Sequence, residues 1–257
     1  MYKAITKSFL TALAVCLPLS ILHAQENEGD QNENHIAIGL GVVSQHSPFN
    51  SASSQTLPIP LISIKQGAFY LETAEAGIRL DKDLDGITPS VDLFVAARSP
   101  LGQDRQKLSA DAGARISLDS KLGKLSGEIR HDVSDKFKGS EIIAKYSVPI
   151  SIGKFTFTPA VRANWLDQKA ANYMYGVTAA QRARMIRKKR NVILPVAAIT
   201  DEALNLSGDI SMAVQVSERL TLIAFVGATY LDKSIHKSAA IEQKWDAQSA
   251  LGVTYRF

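Results

Sequence analysis

Apolar and polar residues alternate along most of this chain with a period of two, not the 3.6 of a helix. In HIAIGLGVV, Ile36, Ile38, Leu40 and Val42 share one parity while Ala37, Gly39 and Gly41 share the other. The last residues repeat the pattern, with Leu251, Val253, Tyr255 and Phe257 set against Ala250, Gly252, Thr254 and Arg256. A strand sends successive side chains to opposite faces, so each stretch predicts a strand with one apolar face and one small or polar face. Between these two lie LPIPLISIKQ, AFYLETAEAGIRL, SVDLFVAAR, ADAGARISLD, KLSGEIRHDV, EIIAKYSVPISI, KFTFTPAVRANWL, LNLSGDISMAVQV and RLTLIAFVGATYL, for eleven predicted strands in all.

The pattern runs into the final residue, which points to a closed sheet in a membrane. A barrel in the outer membrane must seam its last strand to its first, because no edge can be left unpaired in lipid. Tight turns (KLGK, IGK, SER) alternate with longer connections (SPLGQDRQKLS, SDKFKGS, Asp167 to Thr200, DKSIHKSAAIEQK), as in bacterial barrels with short periplasmic turns and long external loops. From Trp245 to Phe257, steps of roughly 3.3 Å tilted by about 45° give a height of about 28 Å, near that of the apolar band between aromatic girdles. The prediction is an all-β fold, a closed antiparallel transmembrane β-barrel of about 10–12 strands. Eleven is odd, whereas such barrels are even-numbered, so one strand is missed or counted twice. Residues 47 to 82, where Pro58 and Pro60 blur the signal, are the expected place. A soluble β-sandwich also alternates, but leaves the aromatic strand ends and the terminal Phe257 unexplained.

The first residues supply an export signal. Lys3 and Lys7 precede an apolar run from Phe9 to Leu22, and Ala24 precedes a polar acidic stretch, which reads as a signal peptide over residues 1–24. The run of roughly 14 residues is short of the about 20 that a spanning helix needs. A short polar segment, 25–35, and one barrel domain, 36–257, are expected to follow. Cys16, the only cysteine, falls within the signal, so no thiol, disulfide or zinc chemistry is expected beyond it. Cleavage would remove two lysines and no acid, bringing 29 basic and 25 acidic residues closer to balance. Near-neutrality in an exported chain argues against nucleic acid as a partner.

Setting each strand by its apolar parity places twelve charges inside: Asp92, Asp111, Glu128, Asp132, Glu141 and Asp209 with Arg98, Arg115, Arg130, Lys145, Arg162 and Arg256. A selective pore tends to present a ring of one sign. Six acids against six bases predict a narrow lumen plugged by paired charges, or at most a small unselective channel.

Three stretches resemble a known family: LPIPLISIKQGAFYLE its proline-bearing N-terminal strand pair, WLDQKAANYMYGVTAAQ its signature after a strand ending in Trp, and ALGVTYRF its closing strand. The chain is thereby identified as similar to the MipA/OmpV family of Gram-negative outer-membrane proteins, from about Ile36 to Phe257. The resemblance implies an outer-membrane barrel without cofactor. It also implies a structural or scaffolding role, tethering a murein transglycosylase and a penicillin-binding protein, with adhesion or permeation of small solutes or antibiotics as alternatives. The chain departs from the family at Met174 and Tyr175, before Gly176, and in the unusually basic RARMIRKKR.

No catalytic or metal-binding arrangement emerges. The histidines beyond the signal are scattered, with no HExxH spacing. His131, Asp132 and Ser134 crowd together in RHDVSD, but adjacent strand residues point to opposite faces, so a hydrolase is not expected there. Arg182, Arg184, Arg187, Lys188, Lys189 and Arg190 form the one dense charge cluster; on an external loop they would meet lipopolysaccharide phosphates. Outer-membrane lipid is the expected surround, and Tyr255 and Phe257 are the expected terminal signal for the barrel-assembly machinery.

Overall fold

A computed structural model of the chain describes residues 34–50, 55–98 and 108–257. The expected signal peptide, 1–24, lies outside the described residues, as does most of the polar segment after it. Among the described residues are thirteen strands and three short helices. The strands are β1 His35–His46, β2 Gln55–Gln66, β3 Phe69–Glu72, β4 Glu75–Asp81, β5 Ile87–Arg98, β6 Ser109–Ser120, β7 Gly123–Asp132, β8 Ser140–Ser147, β9 Ile150–Ile152, β10 Phe155–Leu166, β11 Ala203–Gln215, β12 Leu220–Tyr230 and β13 Trp245–Arg256. Helices α1 (Gln168–Tyr175) and α2 (Ala179–Arg187) lie between β10 and β11, and α3 (Lys233–His236) between β12 and β13.

Sequence neighbours pair antiparallel around the sheet, β1 pairs β13, and β10 pairs β11, so the sheet closes. β8 covers Ala160–Leu166 of β10 while β9 covers Phe155–Phe157. They are one wall position interrupted at Val148 and Pro149, where proline cannot donate to the ladder. The thirteen strands therefore make a closed barrel of twelve positions. At the seam Ala37 lies opposite Arg256, and the Phe257 N–H donates to the Ile36 carbonyl at 2.9 Å.

The miscounted strand lies within the expected residues 47–82, but not at Pro58 or Pro60, which sit inside the unbroken β2. AFYLETAEAGIRL is two strands, β3 and β4, joined at Thr73 and Ala74, with Glu72 opposite Glu75. No glycine or proline marks the turn; Thr73 itself adopts a positive φ of 44°. Crossing the turn shifts the parity, so Tyr70 and Glu72 face inward on β3, and Glu75 and Arg79 on β4, all buried.

Elsewhere the predicted faces hold. Ile36, Ile38, Leu40 and Val42 are exposed on the outer face while Ala37 and Val43 are buried. The short connections, such as Gly67–Ala68, Lys121–Leu122 and Gly153–Lys154, lie at one end with the last residue; the long ones lie at the other. The first end is therefore periplasmic and the second external.

Candidate functional site in the barrel lumen

Four strands feed one charge cluster. Arg115 of β6 donates to Glu128 of β7 at 2.6 Å, to Glu75 of β4 at 2.9 Å and to Asp92 of β5 at 3.0 Å. Asp92 also receives the Arg79 guanidinium at 3.0 Å, and Arg130 pairs with Glu128 and stands 3.5 Å from Glu75. Three arginines thus meet three carboxylates. Taking charges out of water costs several kcal/mol each, and only near-complete pairing offsets it. The fixed donor fork of arginine suits this better than lysine, because one guanidinium can serve several carboxylates at once. Aromatic faces fill the gaps: Arg115 and Arg130 stack on Phe94 at 4.8 and 5.1 Å, and Arg79 on Tyr70 at 5.0 Å. The Tyr70 hydroxyl donates to Glu75 at 2.9 Å.

A second group sits nearer the external end. Arg98, last in β5, lies 2.7 Å from Asp111 and pairs with Glu141, which also accepts from Asn164 at 2.6 Å. Arg162 and Asp209 form a looser pair at 3.6 Å, with Lys145 opposite Arg162 on the neighbouring strand. Arg256 is half-buried at the periplasmic end. Asp132 joins none of these ion pairs. It accepts from the Ser134 N–H and hydroxyl and from the N–H groups of Phe137 and Lys138, at 2.6 to 2.9 Å, and so anchors the loop after β7. The single-strand reading of residues 68–80 hid Glu72, Glu75 and Arg79, although inverting the parity after Thr73 would have found them.

The opposite wall is filled differently. Val43 of β1, Ile59 and Leu61 of β2, Ile223 and Phe225 of β12 and Ala250 of β13 form one buried apolar cluster. Glycines make room for it: a Cβ at Gly252 would stand 2.6 Å from Leu61 Cδ1, and one at Gly41 3.3 Å from Ile59.

A lid covers the external mouth. Asp167 caps α1, accepting from the Ala170 N–H, and with its other oxygen from the Ser140 N–H, both at 2.8 Å. From its roots on β10 and β11, α1 reaches the far side: Met174 Sδ lies 3.4 Å from Arg98 of β5, the Tyr173 hydroxyl 3.4 Å from Ser109 of β6, and the Tyr173 ring stacks on Phe137 at 4.4 Å. Tyr175 stacks on Phe49 from the β1–β2 loop, and Leu231, Ile235 and Ile241 from the β12–β13 connection complete the same core. Where the pattern predicts only a long connection from Asp167 to Thr200, the structure forms α1 and α2, whose 8 and 9 residues give about two turns of periodicity each, too few to stand out in the sequence.

The remaining predicted sites stay apart. His131 faces out, its Nδ1 2.9 Å from Ser140 Oγ, while Asp132 is buried inside, so the residues of RHDVSD do not converge. On and after α2, Arg182, Arg187, Lys188, Lys189 and Arg190 are exposed and Arg184 is half-buried. Tyr255 and Phe257 face outward with ring centroids 5.0 Å apart, and the Arg219 guanidinium donates to the Tyr255 hydroxyl at 3.2 Å.

A closed antiparallel sheet, apolar outside and charged inside, is the construction of an outer-membrane β-barrel. Residues 38–257 match the family model described as MltA-interacting protein MipA. The chain belongs to the MipA family, and its place is the outer membrane. The MltA-interacting protein of Escherichia coli K12 is 22% identical over 263 residues, covering 98% of this chain and 100% of that one. YiaT of Escherichia coli O157:H7, which carries the name of an outer-membrane protein, is 23% identical over 87% of this chain and 92% of its own. Among solved structures, the translocator domain of the autotransporter NalP from Neisseria meningitidis is similar with a TM-score of 0.46 and 11% identity, over 89% of this chain and 90% of that one. An outer-membrane channel from Pseudomonas putida F1 gives 0.37 and 12% identity, over 91% and 100%.

Proposed function

We infer that the protein is a non-catalytic scaffold of the outer membrane, holding a murein-degrading transglycosylase and a murein-synthesising penicillin-binding protein at its periplasmic end. The observation that carries this reading is the full-length similarity to a relative named for its interaction with MltA. The lumen supports it over a channel, because the arginines are paired across strands beneath a packed lid. The docking surface would be the short-turn rim, where Lys82, Asp83, Asp85, Lys121, Lys154, Glu218 and Arg219 offer mixed charge without crossing the bilayer. The exposed basic segment 182–190 faces the opposite way and would hold lipopolysaccharide phosphates, while Tyr255 and Phe257 would serve recognition by the assembly machinery.

The first experiment is single-channel recording of the folded protein in a planar bilayer, beside a binding assay with a purified lytic transglycosylase. The scaffold reading expects no stable current steps, and binding that reversal of the rim charges weakens. Reproducible steps without binding would replace it with the channel reading. Neutralising Arg182, Arg187 and Lys188–Arg190 should leave transglycosylase binding unchanged while lowering retention of lipopolysaccharide.

A further inference from the structure

Two neighbouring strands stop short of the external rim. β3 has 4 residues and β4 has 7, whereas β2 and β5 on either side have 12 each. Their hairpin turns at Thr73, level with Ile62 of β2, to which it is joined by paired hydrogen bonds: Thr73 N–H to the Ile62 carbonyl at 2.7 Å, and Ile62 N–H to the Thr73 hydroxyl at 3.3 Å. Above this point Gln55–Leu61 pairs with β1 on one side, and with no other strand among the described residues on the other. Seven residues of β2, Gln55–Leu61, stand beyond the turn, but only Ala97 and Arg98 of β5 do, because Glu75 lies opposite Ala96. At roughly 3.3 Å per residue and a tilt of about 45° the wall is lowered by roughly 16 Å beside β2 and about 5 Å beside β5.

An open strand edge in lipid should be prohibitively costly, because each unpaired N–H forfeits several kcal/mol. The sequence lowers that cost by removing two of the donors, while the carbonyls on this side and the Thr56 N–H stay. Backbone groups alternate sides along a strand, so the residues that share the open side with Ile62 are Pro60, Pro58 and Thr56. Pro58 and Pro60 have no N–H to leave unpaired. They also oppose the addition of a further strand, since two of the donors that such pairing needs are missing. The surface behind the opening matches. Leu57, Ile59 and Leu61 face inward at this height, where the β4–β7 side of the lumen carries its arginines, and Ile59 and Leu61 pack against Val43, Ile223 and Phe225. The β2 side of the notch is therefore apolar, while the buried Glu72 and Glu75 stand at its base.

We propose that this notch is a lipid-binding site, occupied by an acyl chain of an outer-leaflet lipid lying along the proline-bearing edge of β2 above the β3–β4 turn. Strand addition by a second copy is disfavoured by the two prolines, and a water-filled opening by the apolar β2 side. The site is independent of whether the periplasmic rim docks murein enzymes.

The test uses the unaltered chain in vesicles of phosphatidylethanolamine carrying a photoactivatable diazirine at mid-chain, with labelled positions mapped by mass spectrometry. Outward residues such as Leu40 and Val253 will be labelled whatever fills the notch. The expected result is labelling of Leu57, Thr73 and Ala74 in severalfold excess over Val43 and Phe225, which lie behind a continuous wall. Labelling of Leu57, Thr73 and Ala74 no higher than of Val43 would show that something other than lipid covers the opening and overturn the proposal. Protein–protein cross-links joining β2 of two copies would overturn it in favour of strand addition.

Discussion

The lumen has two walls that solve the same packing problem by opposite means. Along β4–β7 the inward positions are Glu75, Arg79, Asp92, Arg115, Glu128 and Arg130, each made tolerable by a directional partner. Along β12, β13, β1 and β2 they are Ile223, Phe225, Ala250, Val43, Ile59 and Leu61, which need only shape and the room left by glycine. The two walls meet at the shortened β3–β4 hairpin: the apolar wall ends at β2 on one side of it, and the charged wall begins with Glu75 of β4 on the other.

Removing one cation tests the charged wall most severely. Arg115→Met leaves Glu75, Asp92 and Glu128 crowded around an uncharged side chain, and a broken buried pair of this kind costs about 3–5 kcal/mol. The loss is read as a lower urea midpoint for the shift between folded and unfolded bands on a gel. Arg115→Lys should recover only part of it, because an ammonium lacks the fork that serves three carboxylates. On the apolar wall, Leu61→Ala should cost about 2–4 kcal/mol in the same assay, the usual penalty for a cavity at a fully buried leucine. The double variant sharpens the comparison: if the walls are independent, the two losses add to within about 0.5 kcal/mol, and a larger coupling would mean that they share a partner.

The smallest effect belongs to the lid. Burial pushes the Asp232 carboxyl up, but the Ser234 N–H with its hydroxyl, and the Leu204 N–H, outweigh this and hold it below the ordinary carboxylate range. A carboxyl held low in the folded state adds stability that is present above its unfolded value, about 3.9, and is lost as pH falls through the lowered one. Asp232→Ala should therefore cost about 1 kcal/mol at neutral pH, the worth of a helix cap, and the difference from the parent should shrink towards acid pH. Protease resistance of residues 231–244, followed against pH, reads this effect.

The alternation of apolar and polar positions made the barrel legible because a lipid-facing strand must be apolar at every second residue, as in β1, β12 and β13. The balance of the lumen charges did not reveal their partners: Asp132 turns to backbone donors, Arg115 meets Glu75, which the balance omitted, and strand stagger decides which acid meets which base. What else stayed hidden was short-range. Thr73 turns the chain without glycine or proline, and one unmarked turn inverted the parity of everything between it and the next loop, taking Glu75 and Arg79 out of view. The lid helices were too short for periodicity, and their fixing points, such as Asp167 to Ser140 and Tyr173 to Phe137, join residues far apart in sequence.

The lid has a consequence for anything that meets this protein from outside the cell. Its core unites Phe49, Tyr175, Leu194 and Ile241, drawn from three connections, so the outward surface above it is a mosaic and not a set of separate loops. An antibody or phage tail fibre that recognises this mosaic binds a discontinuous epitope. Linear peptides copied from any one loop would not reproduce it, and boiling the sample before blotting would abolish recognition even though every residue of the epitope remained on the membrane.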